Sequence, residues 1–240
     1  MSLLLCLLLV LFSPFVQAVT LLAGEVPPYV IRPQQGAPTG MAVEVIEEAA
    51  RRLREPIQIE LMPFARAIQE AQHRSRVLLL PPVRSPDREA MLQWIVPLLD
   101  EAFVLASDQH YHPAPLRLDE KSPLKIGVLR HSLSHNLLQE LGVTSLEIVT
   151  TERNNADKLA LGRIQAWAAA WNTIRYAQQE AGLRLSELVK GATLAKMPLY
   201  LAASPDFPSQ EARRWHDVIQ GMRADGSLAR ILHQYDYQAP

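Results

Sequence analysis

From residue 19 onward the chain alternates short apolar runs with segments whose apolar residues recur every three or four positions. That alternation limits the fold more than any other feature. Residues 19–22, 57–61 and 77–80 read as strands, and 41–54 and 63–71 between them read as helices. In the first helix Ala42, Val45, Ile46, Ala49, Ala50 and Leu53 form one apolar stripe, the spacing of an amphipathic helix. A βαβαβ order implies a mainly parallel sheet with helices on both faces. After a polar, proline-containing stretch over 110–123 the pattern restarts. Residues 124–129, 146–149 and 164–170 read as strands, and 132–141, 154–161 and 173–181 as helices. Residues 100–107 and 198–203 read as extended. The tail then carries Ala212, Trp215, Val218, Ile219 and Met222 on one helical face and ends in a short helix near Tyr235. Two α/β lobes are therefore expected, 19–106 plus 197–240 and 107–196, joined by extended crossings near 104–107 and 196–199. Such an arrangement leaves a cleft between the lobes, a preferred place for small molecules and for hinge closure.

The N-terminus has a different character. Residues 3–16 are apolar apart from Ser13 and Pro14, and Val16-Gln17-Ala18 has the pattern that signal peptidase cuts. The run is short for a membrane span and fits a secretory signal over 1–18, with the periplasm as destination. No Lys or Arg precedes the apolar run, so an uncleaved anchor or a misplaced start codon stays open. Cys6, the single cysteine, lies inside this segment, leaving none beyond it for a disulfide. A net charge of −1 gives no electrostatic footprint for nucleic acid, and no polybasic segment suggests a lipid surface. The chain is expected to act as a monomer.

A hydroxyl and a guanidinium follow the strand at 77–80, in Ser85-Pro86-Asp87-Arg88-Glu89. Ligands of open α/β sheets bind at the carboxyl ends of strands, and arginine grips a carboxylate with two parallel hydrogen bonds. The plainer alternative is a helix cap at Ser85 and a surface ion pair at Arg88. His131 and His135 have half of a metal-site spacing but no third ligand at a recognised interval. No metal, cofactor or catalytic residue is assigned, since hydrolase-elbow, phosphate-loop and zinc-protease patterns are absent. Trp167 and Trp171, four apart, read first as core residues and second as ligand-stacking ones.

Taken in order, further segments make the chain resemble the family 3 extracellular solute-binding proteins, the periplasmic receptors of polar amino-acid ABC importers. They are Glu25-Val26-Pro27-Pro28-Tyr29, Pro38-Thr39-Gly40, Pro63-Phe64-Ala65-Arg66-Ala67, the Ser85–Glu89 segment and Trp94-Ile95-Val96-Pro97-Leu98. Lys125-Ile126-Gly127-Val128, Gly162-Arg163-Ile164-Gln165-Ala166 and Asp225-Gly226-Ser227-Leu228 continue the series. The resemblance implies a two-lobe periplasmic-binding-protein fold of type II, with the solute held between lobes. It implies that Arg88 pairs with a ligand carboxylate, supported by Ser85, and that Tyr29 walls the cleft. Ser132 would contact the same carboxylate from the start of a helix, a position suited to anions, and Arg66 would lie near the cleft. Gln165 stands where amino-acid receptors usually carry Asp, so it would offer an amide without a charge. The implied partners are a small polar or carboxylate-bearing solute and an ABC permease or membrane sensor. A regulatory protein that has lost solute binding, and a cyclohexadienyl dehydratase-like enzyme, are the alternatives.

Overall fold

The computed structural model describes residues 18–85, 88–118 and 124–240. All but Ala18 of the expected export signal lies outside these residues, as do Pro86 and Asp87 of the Ser85–Glu89 segment. In chain order the elements are β1 (Val19–Gly24), α1 (Met41–Leu53), β2 (Ile57–Met62), α2 (Phe64–His73), β3 (Val77–Leu80) and β4 (Gln93–Asp108). They continue with β5 (Ile126–Leu129), α3 (Leu133–Glu140), β6 (Leu146–Val149), α4 (Glu152–Ala160), β7 (Ala166–Ala170) and α5 (Trp171–Glu180). The last are β8 (Leu188–Ala203), α6 (Ser209–Ala224) and α7 (Ser227–Gln234). Among the described residues no helix is long and apolar enough to cross a membrane.

The strands form one sheet in the order β2-β1-β3-β8-β4-β7-β5-β6. Alternate residues of each strand serve opposite faces. Leu21, Leu78 and Leu80 pack with Val45, Ile46 and Trp215 from α1 and α6, whereas Leu22 and Leu79 pack with Ala67 and Ala71 of α2. In the second half, Val104, Trp167 and Ala169 pack with Leu159 and Ile174 of α4 and α5, and Leu105, Val128 and Ala168 with Leu138 of α3.

Strand direction places the gap. β3 is antiparallel to β8, and β8 is antiparallel to β4 along its whole length. β4 runs from the first lobe to the second, so β3 and its parallel neighbour β1 point their carboxyl ends toward the second lobe. β7 is antiparallel to β4, and β5 is parallel to β7, so both point their carboxyl ends back toward the first lobe. The carboxyl ends of the two half-sheets therefore face one another. Leu79 lies at the level of Ala202 and Ala170 at that of Phe103, which pairs with Ala195, so roughly 23 Å of β8 separates them.

The crossing strands differ from the sequence reading. β4 and β8 are each 16 residues long, where only 100–107 and 198–203 read as extended. Pro97 and Pro198 sit inside them, and register shifts flank Pro97 and accommodate the missing donor. β4 already pairs with β7 from Phe103. The passage between lobes thus falls near Asp100 and Pro198, a few residues earlier in β4 than the crossing near 104–107 expected from sequence.

Candidate functional site

The carboxyl end of β1 is closed by Phe64, the first residue of α2. A Cβ built on Gly24 would lie 2.2 Å from Phe64 Cδ2, so glycine lets the ring settle on the strand end. The Arg88 guanidinium lies 5.8 Å from the centroid of that ring. Its backbone closes a turn, with the Arg88 amide donating to the Ser85 carbonyl at 3.0 Å. Ser85 and Arg88 are both half-buried. The neighbouring Arg84 is held otherwise: it grips Glu89 with two hydrogen bonds and lies over the Trp94 and Tyr200 rings at 5.8 and 6.0 Å.

In the second lobe Ser132 follows the carboxyl end of β5 and caps α3, its Oγ accepting from the His135 amide at 3.2 Å. Capping uses one lone pair, and the hydroxyl keeps its proton to donate. Cap and anion contact are therefore compatible roles for one serine. His131 reaches the turn with φ +58, and its amide donates to His135 Nδ1 at 3.1 Å. Burial and the neighbouring His131 and Arg130 push the His135 imidazole below its ordinary pKa.

Three sequence expectations find their residues elsewhere. Tyr29 is 1% exposed and belongs to the first lobe's core, and its hydroxyl donates to the Glu101 carboxylate. It does not wall the gap in this structure, because Gly40, packed against the Tyr29 carbonyl with φ +119, folds the loop inward onto α1. Gln165 precedes β7, beside Lys125 at the start of β5, and its Oε1 accepts from the Lys125 amide at 2.9 Å. It stands at the outer end of the second lobe, about 16 Å of strand away from Ala170 at the gap. Arg66 is in the first turn of α2, and its side chain is 68% exposed and 3.5 Å from Glu70. Trp167 is fully buried and donates from Nε1 to Glu152, and Trp171 carries the Lys190 ammonium 5.3 Å from its ring.

The family model of bacterial extracellular solute-binding proteins, family 3, matches residues 19–238. The chain belongs to that family. No curated protein matches it. Among solved structures, a histidine kinase sensor domain with similarity to periplasmic binding proteins superposes with a TM-score of 0.77 at 20% identity, covering 91% of this chain and 96% of that one. A mutant of the arginine-binding protein ArgBP from T. maritima gives 0.75 at 15%, with 92% and 95% covered. A probable amino-acid ABC transporter extracellular-binding protein from Bacillus subtilis gives 0.76 at 18%, with 92% and 99% covered. These likenesses establish the two-lobe α/β fold.

In this solute-binding protein the residues that sequence reasoning missed are Phe64, Glu101 and Asn172. Glu101 is wholly buried, and besides Tyr29 its carboxylate accepts from Asn172 Nδ2 at 2.7 Å and from the Ala102 amide at 2.9 Å. Burial pushes its carboxyl above the ordinary carboxylate value, against the pull of those donors, and burial followed by the carboxylate pushes the Tyr29 hydroxyl well up. The signal for Glu101 was the pair of acids Asp100-Glu101 inside the otherwise apolar run from Leu98 to Ala106. Asn172 carries no such signal.

Proposed function

We propose that this solute-binding protein captures a small carboxylate-bearing, amino-acid-like solute between its lobes and closes on it by hinge motion. Arg88 carries the reading. A guanidinium over an aromatic ring at the carboxyl end of a parallel strand is suited to a planar anion. Ser85 supports it from the same turn, and Ser132 donates from the opposite lobe at a helix start, where an anion is favoured. The solved relatives named for arginine and amino-acid transport favour an amino-acid-like solute, and the sensor-domain relative favours signalling as one use of closure beside delivery to an ABC permease. Residues 1–18 act as the export signal, in keeping with an extracellular family. Binding rather than catalysis is also supported by Glu101, whose carboxylate is occupied by three donors.

A thermal-shift screen of amino acids, dicarboxylates, sugar acids and polyamines tests this reading, since a bound solute raises the melting temperature by mass action. Carboxylate-bearing members are expected to stabilise the protein, and Arg88→Ala to remove that shift. Stabilisation by polyamines alone, or no response from any member, refutes the proposal. Turnover of prephenate by the purified protein would replace it with an enzymatic reading.

A further inference from the structure

Glu101 stands where β4 passes between the lobes, opposite Met197 of β8. Its three donors come from three places: Tyr29 in the loop after β1, the Ala102 amide in its own strand, and Asn172 in the first turn of α5. That turn reaches the first lobe repeatedly. Thr173 Oγ1 donates to the Pro27 carbonyl at 3.1 Å. Asn172 exchanges two hydrogen bonds with the Gln238 backbone, at 2.8 and 3.0 Å. Arg175 donates to the Asp236 carbonyl at 3.0 Å and pairs with its carboxylate. The tail they grip is fastened to the first lobe, with Tyr235 Oη on Glu44 and Tyr237 Oη on the Asp100 carbonyl. Leu133 and Ala170 of the second lobe also pack with the first lobe's core.

We infer that the first turn of α5 is a closure latch, in which Asn172 and Thr173 hold the second lobe against Glu101, Pro27 and Gln238 whenever the gap is closed. The inference rests on the reading that the lobes open and close on a solute. A carboxylate with no exposed surface needs its donors, because an unmet acceptor in a low-dielectric site is costly. A pivot served only by its own strand and lobe would keep these bonds at every angle. Here one donor belongs to the other lobe, so opening pulls Asn172 from Glu101 and from the tail together. The latch then sets how often the lobes close without solute, and through that population the apparent affinity.

The test measures the distance between lobes with no solute added. On a Cys6→Ser background, Gln69→Cys on α2 and Gln139→Cys on α3, both exposed, carry spin labels for double electron–electron resonance. Asn172→Ala is expected to raise the longer-distance population several-fold. Thr173→Val, which loses the Pro27 bond and the hydroxyl contact with Tyr29 but leaves Asn172 on Glu101 and so covers the case of a misfolded Asn172→Ala, is expected to shift it the same way by less. Distance distributions unchanged in the folded variants would overturn the latch and leave a fixed pivot, as would one invariant distance in the parent protein. The readout needs no solute, so its failure is separate from failure of the solute assignment, which Arg88→Ala tests.

Discussion

The Arg88 guanidinium rests over the ring of Phe64, 5.8 Å from its centroid. Both side chains lie in segments that follow strand ends, and each limits where the other can go. Arg88→Lys replaces a planar fork with a point charge, and Phe64→Leu removes the aromatic face. Each change is expected to weaken binding of a stabilising carboxylate by about tenfold or more, equal to roughly 1.4 kcal/mol, with unchanged circular dichroism. Titration calorimetry with the best solute of the screen measures it, and wild-type affinity in Arg88→Lys would count against bidentate recognition.

Gly24 is the other support of that ring. A methyl there would lie 2.2 Å from Phe64 Cδ2 and 2.8 Å from its Cα, too close for a rotamer change alone to relieve. Gly24→Ala is expected to displace the start of α2 and cost about 1–3 kcal/mol, the range for overpacked sites. Urea denaturation measures the loss, and solute affinity should fall with it because Arg88 loses its support.

Glu152 gives a pH dependence. Its carboxylate is turned inward onto Trp167 Nε1 and Asn155 Nδ2, each at 2.8 Å, and burial raises its pKa from 4.5 to about 7. Between those values the native state binds more protons than the unfolded chain, so stability falls as pH rises from about 4.5 to 7 and is level above. The full effect is about 3 kcal/mol. Glu152→Gln should remove this slope while keeping an acceptor for Trp167. Glu101 has the same sign, so the difference between variant and parent across pH 5–8 isolates Glu152. Identical slopes would refute the assignment.

Tyr29→Phe separates a core role from a wall of the gap. It removes one donor from a buried carboxylate at nearly constant shape, a loss of about 1–3 kcal/mol. For a chain of this size that lowers the melting temperature by about 2–4 °C for each kcal/mol. Lost solute affinity without lost stability would restore the wall.

Much of the site was legible in local terms and some was not. Ser85, Arg88 and Ser132 each follow a short apolar strand, which is what the rule that ligands meet strand carboxyl ends uses to propose them as contacts. Gln165 lies at the opposite end of its strand from the gap. A match of motif letters carries no strand direction unless the neighbouring strands are known. Tyr29 reads as a loop residue beside prolines, and its burial depends on Glu101, 72 residues away. The crossing strands look short because Lys190, Gly191 and Lys196 interrupt the apolar pattern of β8, while backbone pairing with β4 carries them through.

The order of strands and helices, their division into two lobes and the turn after β3 that we propose binds an anion are legible in the sequence alone, because they depend on periodicity and neighbouring residues. Only tertiary structure decided that Tyr29 serves the passage between lobes, that Gln165 faces away from the gap, and that Glu101 gathers donors from both lobes. Those roles depend on strand direction and on contacts between distant segments, and no local pattern of residues encodes either.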